Sequence, residues 1–310
     1  MSDSLNQTFE SGNASSVRGP AKLVGLGFLF LGLVLTFTLF KLPEAKITAL
    51  IQGHVQSALD PLGIYLSDRG RSLSLLFGIR YRLDHPTLEL RDQTRIDLDE
   101  LEVNPKLLSL FTGRAGASAI LKQGKSEVRL DGFAKKDQVE ADLDLIDIDL
   151  AKFGLLAFAG IKGSGMIAGK GHIQGAPSDL ATLNGSLEFK LKNVQLDEQM
   201  IYAFKVPSLS VSEGTLSVEI KGGKLLMKNV QLGRQNDDVI VSLTGDIALN
   251  RFINSSTLNL RAVFSLSPKV IASFSFLETM LSGGKQTDGK YAFKLTGPLM
   301  QPFSNPDPQK

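Results

Sequence analysis

From Ile79 onward, apolar and polar residues alternate with the period of an extended strand, whose successive side chains point to opposite faces. Ile79, Tyr81 and Leu83 alternate with Arg80, Arg82 and Asp84; Val139, Ala141, Leu143 and Leu145 alternate with Glu140, Asp142 and Asp144. The period recurs at Leu187, Phe189 and Leu191, at Leu216, Val218 and Ile220, and at Val239, Val241 and Leu243. It returns at Leu258, Leu260, Ala262, Phe264 and Leu266, and at Tyr291, Phe293 and Leu295. Such segments are half-buried, mostly antiparallel strands with one wet and one dry face, and about ten or more are expected.

Helical spacing is scarce by comparison. Ile47, Leu50, Ile51, Val55 and Leu59 fall on one stripe of an amphipathic helix from Glu44, which Asp60-Pro61-Leu62-Gly63 stops. Asn104-Pro105-Lys106 reads as an N-cap with proline at the first helical position, opening a short helix that ends at Gly113. Ser267-Pro268 repeats that signature ahead of Val270, Ile271, Phe274, Leu277 and Leu281, and a weaker helical stretch runs from Leu150 to Gly160. These few helices are too small to cover one face of so many strands. The dry face therefore closes on itself, packs on another sheet as a sandwich, or stays open as a groove. The residues expected to line such a groove are Leu187, Phe189, Leu191, Leu216, Val218, Ile220, Leu258, Leu260, Phe264, Tyr291 and Phe293.

Ahead of the strands, Leu23 to Phe40 holds eighteen residues without a charge. Extended to Leu42, with Lys41 able to snorkel, the run reaches the ~20 residues that cross a bilayer core. No Ala-x-Ala cleavage pattern comes after it, so an uncleaved anchor at 22–42 is expected. Arg18 and Lys22 balance Lys41 and Lys46, which leaves the orientation to be decided by the size of the C-terminal region. A polar leader over 1–21, disordered by composition, stays in the cytoplasm, and the large domain lies on the opposite side. A juxtamembrane helix over 43–63 joins the two.

Within the β region, Lys192-Asn193-Val194-Gln195-Leu196 recurs as Lys228-Asn229-Val230-Gln231-Leu232. In both copies the apolar phase slips by three positions, Leu191 to Val194 and Met227 to Val230, and a β-bulge at each Lys-Asn pair accounts for it. A boundary near Gly160 to Gly165 divides an N-terminal β unit (64–160) from a C-terminal one (161–303), and 304–310 reads as a disordered tail.

Composition narrows the function. With 34 basic and 32 acidic residues the net charge is +2, so no strong field gathers nucleic acid. Without cysteine there is no disulfide framework, thiolate nucleophile or cysteine-based metal site. His54, His85 and His172 do not stand at ligand or triad spacing. Asp142, Asp144, Asp147 and Asp149 read as a solvated strand edge, since calcium needs six to eight oxygens converging on one point. Gly163-Ser164-Gly165-Met166-Ile167-Ala168 meets the loose dinucleotide fingerprint but leads into strand-like sequence, and so reads as a glycine-rich turn. No catalytic, metal or cofactor position is assigned.

The order of elements (leader, anchor, juxtamembrane helix, strand-rich region) together with Val103-Asn104-Pro105-Lys106-Leu107-Leu108-Ser109-Leu110-Phe111-Thr112-Gly113 resembles the AsmA-like group of envelope proteins. Within it, total length and the closing Leu295-Thr296-Gly297-Pro298 and Met300-Gln301-Pro302 are most similar to the type II secretion system protein N family. The resemblance implies a single-pass inner-membrane protein with its C-terminal domain in the periplasm. It further implies a non-catalytic, β-rich docking platform for protein secretion, with the secretion machinery or other envelope proteins and membrane lipids as partners. The alternative is a carrier of lipid or another hydrophobic ligand on the apolar face.

Overall fold

In the computed structural model, the described residues are 63–307 with gaps at 75–78, 91–94, 159, 202–203, 252 and 275–276, together with Ala49, Gly53, Gln56, Ser57 and Asp60. The chain divides into two compact units, Met1–Ala49 and Leu50–Lys310, and every strand belongs to the second. The leader and the expected anchor at 22–42 lie outside the described residues, among which no helix is long and apolar enough to cross a membrane. Most of the 43–63 helix is likewise outside them, although Ala49, Gly53, Gln56 and Ser57 are helical.

The alternating sequence forms one antiparallel sheet of fourteen strands. In chain order these are β2 (Gly70–Ser74), β3 (Arg80–Asp84), β6 (Glu100–Pro105), β7 (Ala115–Gln123), β8 (Ser126–Lys135), β9 (Gln138–Asp149) and β10 (Gly163–Gly175). The series continues with β11 (Asn184–Leu196), β14 (Leu209–Lys221), β15 (Lys224–Leu232), β16 (Val239–Ala248), β17 (Thr257–Leu266), β18 (Tyr291–Pro298) and β19 (Phe303–Pro306). Each strand pairs with the next in this series, so the sheet is a single meander. A separate three-stranded sheet has the order β1-β4-β5, from β1 (Ile64–Ser67), β4 (Thr87–Leu90) and β5 (Arg95–Asp97). A hairpin of β12 (Gln199–Ile201) and β13 (Phe204–Val206) interrupts the connection from β11 to β14.

Helices are short: α1 (Leu107–Leu110), α2 (Leu155–Phe158), α3 (Pro268–Ser273) and α4 (Leu277–Leu281). Ser267 caps α3 as expected, its hydroxyl accepting from the Val270 N–H with Pro268 in the first turn. The helix expected to continue to Leu281 instead breaks at Phe274 and restarts as α4. Asn104 does not cap α1. Asn104 and Pro105 close β6, and the helix starts after Lys106. Proline is tolerated there because the pairing of β6 with β3 ends at Val103, leaving only β7 alongside.

Both expected bulges are present. On β11 the register against β10 shifts where Gln195 gives way to Lys192, with Asn193 at φ 49°. On β15 it shifts across Lys228-Asn229 against both neighbours. A third bulge at Asp147, φ 46°, accounts for the phase flip between Leu145 and Ile146.

Three further expectations are corrected. The sheet runs unbroken through 160–165, because β9 and β10 pair from Val139 to Asp149, so no domain boundary falls there. Gly163–Ala168 opens β10 rather than forming a turn. Ser304–Pro306, expected in a disordered tail, belongs to β19, which hydrogen-bonds along β18.

The β15–β16 turn is tied to β14 and α3 by two carboxylates. Burial opposes the charged form of Asp237, but the Arg234 N–H and the Ser212 N–H and hydroxyl outweigh it and hold its pKa below the usual carboxylate value. Burial likewise opposes ionised Asp238, and the Ser210 N–H, the hydroxyls of Ser267 and Ser210, and Lys269 at 3.7 Å outweigh it. A folded pKa below the unfolded one contributes stability that is complete above about pH 4 and disappears as pH falls through the folded values. Urea unfolding followed by circular dichroism will therefore show a midpoint falling below pH 4. Asp237→Asn with Asp238→Asn will lower the midpoint at pH 7 and flatten that acid dependence.

Candidate functional site

Residues directly opposite one another across antiparallel strands share a face, so the registers trace rows of side chains across the sheet. One row runs Leu73, Tyr81, Val103, Ala119, Leu130, Leu143 and Gly171 from β2 to β10. It continues through Leu187, Val218, Met227, Gly245, Leu260 and Leu295 to Ser304 on β19. The next row runs Leu83, Leu101, Leu121, Val128, Leu145, Gly169, Phe189, Leu216, Val230, Leu243, Ala262, Phe293 and Pro306. Neither row holds a charge. The bulges keep them in phase, since without the extra residue each strand beyond would turn its apolar set to the wet face.

All eleven expected lining residues lie on this one face. Leu187 faces Val218 and Phe189 faces Leu216, while Leu191 faces Gly214 and Ile220 faces Gly185. Leu258 and Leu260 sit two residues apart, on the same face of β17, and Phe264 faces Tyr291. The Phe264 ring stacks on Tyr291 at 5.7 Å and on Phe293 at 6.0 Å.

Cover over this face is uneven. Near its start, Leu66 of β1 packs with Tyr81, Leu83 and Leu101. Leu88 of β4, Ile96 of β5, Leu98 and Phe153 seal Ile148, Leu121, Val128, Leu145 and Ile167. At the other end Val270 of α3 is buried, and the turn at Gly284 lies against Phe293 so closely that a Cβ there would come within 2.5 Å of the ring. Between these ends, β11, β14, β15 and β16 have as principal contacts their own sheet neighbours, among the described residues. Leu187, Phe189, Leu191 and Leu216 are half-buried there, whereas Val218, Ile220, Leu258, Leu260, Tyr291 and Phe293 are buried and Phe264 is half-buried. Beyond the end of β15 the Asp238 N–H donates to the Ser210 carbonyl at 3.1 Å, which draws the start of β16 toward β14.

One row of the opposite face carries charges of alternating sign. Arg129 faces Asp144, Asp144 faces Lys170, and Lys170 faces Glu188. Lys170 Nζ lies 3.9 Å from Asp144, and His172 Nδ1 lies 2.7 Å from an Asp142 oxygen. A shallow hollow of about 690 Å³ lies over these residues, and a second of about 550 Å³ lies over Lys190, Thr215, Ser217 and Asn229. The acidic series is thus divided: Asp142 and Asp144 pair across strands, Asp147 forms the bulge, and Asp149 accepts from the Ala151 and Lys152 N–H groups. Among the described residues no cluster of metal-ligating side chains is assembled. These hollows were not signalled by the sequence, because residues of one wet face look alike before registers are known.

The contrast in cover sets a prediction. Leu130 and Ile173, 42 % and 37 % exposed on the apolar face, will accept aspartate at a cost within about 1 kcal/mol. Leu260→Asp, at a 7 % exposed position, will cost more than about 3 kcal/mol by burying an unpaired charge. Urea midpoints of the three variants will separate the two classes.

Comparison with models of known protein families, with curated protein sequences and with solved structures finds no match to this chain.

Proposed function

We propose that the chain carries a lipid or another hydrophobic ligand along the apolar face of its sheet, from an anchor in the inner membrane and with the sheet in the periplasm. The observation that carries this reading is the pair of uncharged rows that cross the sheet perpendicular to its strands. From β10 to β17 they span five strand spacings of about 4.8 Å, some 24 Å, on the length scale of an acyl chain. Burying hydrocarbon contributes about 0.8 kcal/mol per methylene, so a chain of about a dozen carbons needs no polar recognition to be held. The resemblance to AsmA-like envelope proteins supports the same reading and the same location.

The secretion-platform reading rests on a different feature, the outer edge of β19. All four residues are exposed, and among the described residues β19 pairs only with β18. A strand of a secretion component added there would extend the sheet by β-augmentation.

Phe189 and Glu188 are consecutive and face opposite sides, which makes the carriage reading testable. With a photoreactive amino acid at position 189, the full chain in cells will crosslink to lipid on irradiation, detected by mass spectrometry. The same group at 188 will give at least about tenfold less adduct. Equal adducts at both positions, or none at 189, overturn the proposal.

A further inference from the structure

Strand direction alternates along the meander, so the β6–β7, β8–β9, β10–β11, β14–β15, β16–β17 and β18–β19 connections share one end of the sheet. That end is basic. Its connections and flanking strand residues carry Lys106, Arg114, Lys135, Lys136, Lys221 and Lys224, with Arg251 beyond, whereas the acidic residues of the same described connections are Asp137 and Asp179. At the opposite end the signs are mixed, with Lys162, Arg234 and Lys269 among Asp197, Glu198, Asp237 and Asp238. A chain of net charge +2 thus has its unbalanced positive charge collected along one edge.

Exposed apolar side chains stand among these basic groups. On α1 and the residue after it, Leu108 is 81 %, Leu110 57 % and Phe111 80 % exposed, a prong of large side chains turned to solvent. Ile253 and Met300 are exposed in the β16–β17 and β18–β19 connections of the same end. The prong is firmly rooted. The Lys106 N–H donates to the Gly116 carbonyl at 2.8 Å, the Ser109 hydroxyl to the Lys106 carbonyl at 2.6 Å, and the Arg114 N–H to the Ser109 carbonyl at 3.1 Å. Lys106 pairs with Asp131 and lies 4.2 Å above the Phe133 ring. Beside the prong, Arg114, Lys135 and Lys136 line a hollow of about 440 Å³ with Asp137 and Glu140.

We propose that this basic end docks on an anionic lipid bilayer, with Leu108, Leu110 and Phe111 inserted among the acyl chains and the lysines and arginines at the level of the phosphates. Apolar residues spread over separate connections of one lysine- and arginine-rich edge suit an interface that is oily below and anionic above. A protein partner would instead meet one contiguous apolar patch. The docking stands apart from the carriage reading, since an edge can bind a membrane whether or not the apolar face holds a ligand.

The test uses the full chain in nanodiscs of phosphatidylcholine, held on resin, and dye-loaded vesicles of phosphatidylcholine with or without phosphatidylglycerol. Vesicles containing phosphatidylglycerol will be captured and neutral ones will not, and high salt will weaken capture by screening. Leu108→Glu with Phe111→Glu will reduce capture at least about tenfold. Lys135→Glu with Lys136→Glu will reduce it as well, with unchanged circular dichroism in both variants. Capture that ignores the prong variant, or that is equal for neutral and anionic vesicles, overturns the docking. The photocrosslink at position 189 reports on carriage separately, so either proposal can fail alone.

Discussion

A strand inside a sheet needs hydrogen-bonding partners along both edges, and in this protein the strand next in the series supplies them almost without exception. Everything else depends on that ladder. The shape of the middle of the sheet is set by backbone pairing, by where bulges release it, and by side chains touching sideways along the rows. Glycine serves the ladder where strands crowd: Gly245 has φ 116°, and a Cβ there would stand 2.2 Å from the Asn259 carbonyl of the adjacent strand.

The two faces do different physical work. Apolar rows gain from removal of surface from water, most completely where β1, β4 and β5 cover one end and the turn at Gly284 the other. Charged rows gain little stability, because exposed pairs such as Lys170 with Asp144 contribute between about 0 and 1 kcal/mol. Their alternating signs instead keep the wet face soluble and avoid like charges directly opposite one another at Arg129, Asp144, Lys170 and Glu188.

Strands and bulges were legible because period two and its three-residue slips are local properties. Leu191 to Val194 and Met227 to Val230 each carry the information for a bulge within four residues. Asn104-Pro105 misled because an N-cap and the end of a strand that has lost one neighbour place the same demands on those residues. The short helix before Gly113 was legible, but that Leu108, Leu110 and Phe111 on and beside it stand exposed is shown only by tertiary structure. Leu88, Ile96 and Leu98 look like any other strand residues, so their role as a lid over Ile148 emerges only when two sheets are placed together.

Because each long strand meets a partner close to it in sequence, the contact order of this domain is low for an all-β protein. Loop closure is brief at every step, and strands can add one at a time to a growing edge. Such accretion suits a chain that emerges progressively as it is synthesised, since each new hairpin finds its template already formed.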